Sequence, residues 1–265
     1  YDTDGSPPSG PSSFAVLNDG SVVIADTMAV ARGEPRLLHY DASGELLTAI
    51  DLADHDVAAI VDVVSDGSKL AILDVLVSMS RYRVLTLGVD GSVEATVDVP
   101  SGFRFEDGLT GLAWDDKGVL LEFEFGASYA RLASAGSIED SVTPIFAGTT
   151  VELIPGNGRT TEVVSSHASF AIQRSTDLGG ATLIGIGPDG SIVVAVDEVD
   201  VTGPAIVVMR RVQRYSATGQ FVTEQVLDAG DQYVEIPRAL ELDATGNVVY
   251  LQAHPDRVAI AAIEV

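Results

Sequence analysis

Two interleaved series of glycine turns run through this chain at nearly one period, and that arrangement restricts the fold more than any other feature. The first series is Asp19-Gly20, Asp66-Gly67, Lys117-Gly118, Asp189-Gly190 and Thr245-Gly246; the second is Ser43-Gly44, Asp90-Gly91, Ala135-Gly136 and Thr218-Gly219. From Gly20 to Gly67 is 47 residues and from Gly67 to Gly118 is 51, while Gly44 to Gly91 is 47 and Gly91 to Gly136 is 45. A tight hairpin turn needs positive φ, which glycine reaches without a Cβ clash. Between the turns lie short segments rich in Val, Ile and Leu, such as 14–17, 21–25, 36–40 and 46–52. They have strand length, and no stretch keeps the i, i+3, i+4, i+7 apolar spacing of a helix. Two hairpin series with a shared period describe a four-stranded antiparallel unit repeated along the chain, which is how β-propeller blades read in sequence.

The expected fold is therefore all-β, a propeller of six four-stranded blades near 11–54, 55–101, 102–147, 148–180, 181–229 and 230–265. One irregularity leaves five blades as the alternative: Gly118 to Gly190 is 72 residues, too long for one blade and short for two. Candidate strands at 128–132, 142–146, 150–154, 161–165 and 169–174 finish the third blade and make a three-stranded fourth. The organisation is a Pro/Gly/Ser-rich tail, 1–12, followed by a single domain, 13–265. Both flanks of a propeller blade are covered, so Val22, Ile24, Leu70, Ile72, Val119, Leu121, Ile192, Val194, Val248 and Tyr250 should be buried together with Val23, Ala71, Leu120, Val193 and Val249.

Charge and cysteine narrow the function classes. The 265 residues carry 39 acids against 15 bases, a formal net charge of −24. Such a surface repels phosphate backbones and anionic lipid headgroups, so nucleic acid and membrane-surface partners are disfavoured, while cations and basic partners fit. Cysteine is absent, which removes disulfides, thiolate metal sites and a cysteine nucleophile. The opening "YDTDGSPPSGPSS" is like the linker left after a signal peptide is removed, and export to a periplasmic or extracellular location is expected. No apolar run approaches the roughly 18 residues of a membrane span.

The first blade, "PSSFAVLNDGSVVIADT…RLLHYDASGELLTAIDL", resembles an NHL repeat: a lead-in proline, an Asp-Gly turn, an apolar pair ending in Ala-Asp, then an apolar strand closing on Tyr-Asp and a second Gly turn. "ATLIGIGPDGSIVVAVDE…VQRYSATGQFVTEQVL" and "IPRALELDATGNVVYLQ" follow it more loosely, and only about 120–180 falls outside the likeness. The resemblance implies a propeller that serves as a binding platform. RNA-binding members use basic faces, which this charge balance does not supply.

One recurrent residue invites a functional reading. Counted from the first-series glycines, Asp26 lies six on, Asp74 seven, Glu124 six and Asp197 seven, with Gln252 at that place in the last blade. A common strand end would put these acids on one face as a ring about the axis, suited to a cation or basic ligand. Asp also accepts local backbone N–H groups at strand ends, a purely structural role. "DLADHDV" places Asp54, His55 and Asp56 close enough to contribute to a metal site, although one loop rarely supplies a full ligand shell. His39 reads as a mid-strand partner, and His167 and His254 carry no motif.

Six-bladed calcium lactonases, by family likeness, hold their ion with Glu, Asn and Asp near the axis. This chain has three asparagines, Asn18, Asn157 and Asn247, all in turns. G-x-S-x-G, H-E-x-x-H and P-loop motifs are missing. The expected function is a noncatalytic exported propeller that recognises or assembles with protein, without cofactor. The alternative is a calcium-dependent hydrolase or lactonase with the ion near the axis. The last blade offers three strands, so a fourth could come from the tail, folded on its own blade or paired with a neighbouring molecule.

Overall fold

A computed structural model describes residues 11–26, 35–76, 81–100, 108–133, 137–139, 141–156, 158–203, 206–227, 236, 238–254 and 258–265. The strands form six antiparallel sheets in chain order. Blade one holds β1 (Pro11–Val16), β2 (Val22–Asp26), β3 (Arg36–Tyr40) and β4 (Leu46–Asp51); blade two holds β5 (Ile60–Ser65), β6 (Lys69–Leu76), β7 (Arg81–Gly88) and β8 (Val93–Asp98). Blade three holds β9 (Leu109–Asp115), β10 (Gly118–Phe123), β11 (Ser128–Leu132) and β12 (Ile138–Glu139); blade four holds β13 (Ile145–Phe146), β14 (Thr149–Pro155), β15 (Thr160–Ser165) and β16 (Ser169–Gln173). Blade five holds β17 (Leu178–Ile186), β18 (Ile192–Asp200), β19 (Val207–Tyr215) and β20 (Phe221–Leu227). Blade six shows β21 (Leu240–Leu242), β22 (Val248–Ala253) and β23 (Val258–Ile263) among the described residues. First strands pack on one another around the centre: β1 on β5, β5 on β9, β17 on β21 and β21 on β1, with β14 against β17. The six-bladed propeller is the architecture.

The turns explain themselves chemically. Gly20, Gly67, Gly118, Gly190 and Gly246 all have positive φ, as do Gly44, Gly91 and Gly219. Beside them, Asp19, Asp66, Asp90 and Asp189 each accept the backbone N–H of the serine two residues on. Asp-Gly-Ser is thus a self-closing turn: the carboxylate mimics a backbone acceptor and the glycine supplies the left-handed residue.

The core lies between blades. Val22 and Ile24 pack with Val248 and Val249 of blade six, whereas Val23 and Ala25 pack with Leu70 and Ile72 of blade two. Ala71 and Leu73 turn the other way, onto Leu109, Leu112 and Leu121 of blade three. Ile192, Val194 and Val196 meet Val151, Leu153 and Val163 of blade four, while Val193 joins the blade-six cluster. Alternate residues therefore serve opposite flanks, as a strand with two covered faces requires. All the expected core positions are buried except Val119, which is half-buried.

The junction of blades three and four corrects the expected boundaries. The sequence places strand 142–146 in blade three; in the structure Ile145 and Phe146 pair with Thr150 and Thr149, which gives blade four four strands, and β12 completes blade three. A polar clamp holds this junction. Asp115 accepts the Ile145 N–H at 3.1 Å, Asp116 N–H donates to the Ile145 carbonyl, and the Asp116 carboxylate takes the N–H groups of Ala147 and Gly148. Residues 1–10 of the N-terminal tail, the Ala135-Gly136 turn and Asn157 lie outside the described residues, while Pro11 and Ser12 belong to β1 rather than to the tail.

Candidate functional site

We call top the propeller face at which first strands begin and second strands end. Asp26 lies opposite Pro11, Asp74 opposite Ile60, and Asp197 opposite Gly180, while Glu124 follows the end of β10 and donates its N–H to the Gly108 carbonyl. All four sequence-derived acids therefore sit at the top, but they do not form one uniform set. Asp26 and Asp74 fall in step with Ile24 and Ile72, toward the preceding blade; Asp197 falls in step with Val193, toward the following one. The cause is where the glycine sits in the turn. Blade two closes its turn at Asp66–Lys69, two residues past Gly67, whereas blades one and five close at Ser21 and Ser191, one residue past Gly20 and Gly190, so a seven-residue count reaches the Asp26 position in blade two and overshoots it in blade five. Glu124 lies beyond its strand, at φ 50°.

Three of these acids meet an arginine directly across the next strand. Arg36 Nη2 is 3.0 Å from Asp26 Oδ2, Arg83 Nε 2.6 Å from Asp74 Oδ2, and Arg210 Nε 2.7 Å from Asp197 Oδ1. Asp26 and Asp74 are fully buried, and Asp74 also accepts the N–H groups of Ala58 and Ala59 at 2.9 Å, tying the blade-one to blade-two connection to its strand. These are structural roles. Asp197 keeps 31% of its side chain exposed.

The Asp54-His55-Asp56 stretch forms a short 3-10 turn, Ala53–His55, ending at Asp56 with φ 57°. Its backbone carbonyls, from His55 and Asp56, accept the Arg83 guanidinium. No group of three His, Asp or Glu side chains converges to metal-binding spacing among the described residues. His39 is buried and meets Ser21 Oγ at 2.9 Å.

A different constellation occupies the centre. Arg238, just ahead of β21, spans from blade six to blade two, where its Nη1 lies 2.6 Å from Asp62 Oδ2, and to blade three, where it contacts Glu122 and the Leu112 carbonyl. Asp62 also accepts the Leu112 N–H at 2.7 Å and the Val63 N–H at 2.9 Å. Glu241 faces the same guanidinium but receives no hydrogen bond among the described residues. Burial raises the pKa of Asp62 and of Glu122 against the pull of Arg238. Burial likewise pushes Glu241 up to about 8, against Arg238 and with help from the charges of Asp62 and Glu122. Three carboxyl groups share one guanidinium, and burial holds the pKa of each above its ordinary value.

A cavity of about 620 Å³ opens beside this cluster. Its wall comprises Glu122, Glu124 and Phe125 of blade three, Gly180–Ile184, Ala195, Asp197 and Arg210 of blade five, and Arg238–Glu241 of blade six. Phe125 stands 60% exposed, at φ 56°, its N–H bonded to Thr110 Oγ1 at 2.9 Å. Two successive non-glycine residues with positive φ are uncommon and concentrate at functional positions. Beyond the cavity the β18–β19 ribbon continues past Asp197 and Arg210 to Asp200 and Val207, flanked by β17 as far as Val199. On it Ile206, Val207, Val208 and Met209 are 71, 59, 54 and 40% exposed. Sequence reasoning found Glu124 and Asp197 but missed Asp62, Glu122, Arg238, Glu241 and the ribbon.

No family model matches this sequence, and no curated protein matches it. Solved structures do resemble it. A protein of unknown function from Bacteroides caccae shares 13% identity over 82% of this chain and 81% of its own, with a TM-score of 0.47. A proposed 6-phosphogluconolactonase from Bacteroides uniformis shares 12% over 96% and 86%, with a TM-score of 0.46. The β-propeller domain of the Trilobed protease from Pyrococcus furiosus, which has an open velcro topology, shares 10% over 97% and 80%, at 0.45. The likeness is one of fold alone.

Proposed function

We propose that this chain is a noncatalytic recognition module: an exported propeller of NHL-like repeats that binds a polypeptide partner across its top face. The observation that carries the reading is the ribbon of Ile206, Val207, Val208 and Met209 beside the central cavity. Three successive strand residues exposed on both sides of a ribbon are unusual in a monomer's surface, and exposed apolar patches rimmed by polar groups mark interaction sites. Phe125 and Met209, exposed beside the cavity, are of the residue types enriched at protein interfaces. A chain of net charge −24 favours a cationic partner over nucleic acid or lipid. The axial carboxylates support recognition over calcium chemistry, since Asp62 and Glu122 are already held by Arg238, whose guanidinium a divalent ion would have to displace.

The test is selection of random-sequence peptides on the purified protein, with V208D as counter-target. Enriched peptides should carry basic and apolar residues together and should lose at least tenfold in affinity on V208D. Absence of enrichment, or peptides indifferent to V208D, contradicts the reading. Calcium-dependent lactone hydrolysis by the wild type would support the alternative function instead.

A further inference from the structure

We infer that the central cavity accepts a single primary-ammonium or guanidinium side chain, such as a lysine or arginine presented by the partner. The inference rests on the recognition reading above and names the chemistry of its central contact. Four carboxyl groups line the cavity, Glu122, Glu124, Asp197 and Glu241, against two guanidinium groups, Arg210 and Arg238. Arg210 is bidentate to Asp197, at 2.7 and 2.9 Å, and Arg238 is divided between Asp62 and Glu122. Among the described residues Glu241 is thereby left without a donor, half-buried on the cavity wall, in a site short of positive charge. A partly buried carboxyl lacking a hydrogen bond is costly and calls for a donor. An incoming ammonium group supplies both the donor and the charge. The walls suit the rest of such a side chain: Leu183, Ile184 and Leu240 offer apolar surface to the methylenes, and Phe125 at the rim offers a ring face to a cation.

The chemistry predicts a pH response. Glu241 is faced by Arg238 from its own blade, Asp62 from β5 and Glu122 from β10; Tyr129 of β11 faces Arg238, and Glu124, Asp197 and Arg210 complete the cavity. Its carboxyl holds a proton up to about pH 8, so a cation binds more tightly as pH rises through that value.

The probe is Nα-acetyl-lysine N-methylamide, with the norleucine analogue as control, titrated into ¹⁵N-labelled protein. The lysine probe should shift the amides of Gly180, Ala181, Thr182 and Phe125 saturably, and the norleucine probe should not. E241Q should weaken lysine binding at least fivefold at pH 9 and flatten its dependence between pH 6.5 and 9. E124Q, on a different wall, should weaken it too and serves if E241Q misfolds; E94Q, far from the cavity, should change nothing. Equal shifts from norleucine, or none from lysine, overturn the inference. If the lysine probe fails while selected peptides still bind and still respond to V208D, the cavity assignment falls and the recognition reading stands. If both fail, both fall.

Discussion

Arg238 Nη1 lies 2.6 Å from Asp62 Oδ2, joining residues 176 apart in sequence across the middle of the propeller. One guanidinium thereby connects blades six, two and three. Because Asp62 is buried, removing the cation strands a charge that the surroundings cannot solvate. R238A should lower the unfolding free energy by about 3–5 kcal/mol in urea titrations at pH 7. R238M/D62N, which removes both charges, should lose less than R238A alone. A smaller loss in the single variant would show that the pair does not hold the blades together.

Glu241 gives stability the opposite pH dependence from most carboxylates. Its folded pKa is raised to about 8, so the folded chain binds its proton more tightly than the unfolded chain does. That contribution is complete below the unfolded value, near 4.5, and is lost as pH rises toward 8. E241Q should be more stable than the wild type at pH 9, by on the order of a few kcal/mol, with little difference at pH 4. Melting curves at the two pH values check it.

Asp19, Asp41 and Asp90 behave the other way. Hydrogen bonds from Ser21, Ser43 and Ser92 hold their pKa values below the usual carboxylate range. Their contribution is present above the unfolded pKa, near 3.8, and is lost as pH falls through the lower folded value. Replacing the three serines with alanine should move the acid-unfolding midpoint upward, as read by circular dichroism.

Gly67 and Gly44 separate conformational strain from crowding. Both have positive φ, but a Cβ at Gly67 would sit 2.2 Å from Asn18 Oδ1, whereas at Gly44 nothing lies within 4 Å. G44A should cost roughly 1 kcal/mol from backbone strain. G67A should cost about 2 kcal/mol or more, and the excess should shrink in N18A.

The sequence legibility of these features follows how local they are. Asp-Gly-Ser turns are legible because the acceptor, the glycine and the donor lie within three residues. Asp26 and Asp74 are legible as strand-end acids, yet the sequence does not reveal that Arg36 and Arg83 lie opposite them. Asp197 falls in with them by count alone, because a count from glycine does not register that Gly67 lies one residue further from its closing pair than Gly20 or Gly190 does. Ile145 and Phe146 look like a blade-three strand until Asp115 and Asp116, some 30 residues earlier, bind the backbone of Ile145, Ala147 and Gly148. Composition does not reveal that "IVVMR" is exposed; that follows from its place at the far end of the β18–β19 ladder, past Asp197. Arg238 and Asp62 meet solely because the ring closes.

The most direct test of the central claim is hydrogen exchange of the protein with a selected peptide bound. Slowed exchange should fall on amides of residues 180–184, 197–200 and 206–210, at the top face. Protection confined to the opposite face, at residues 41–45 and 243–247, or no protection at saturating peptide, would contradict recognition through this surface.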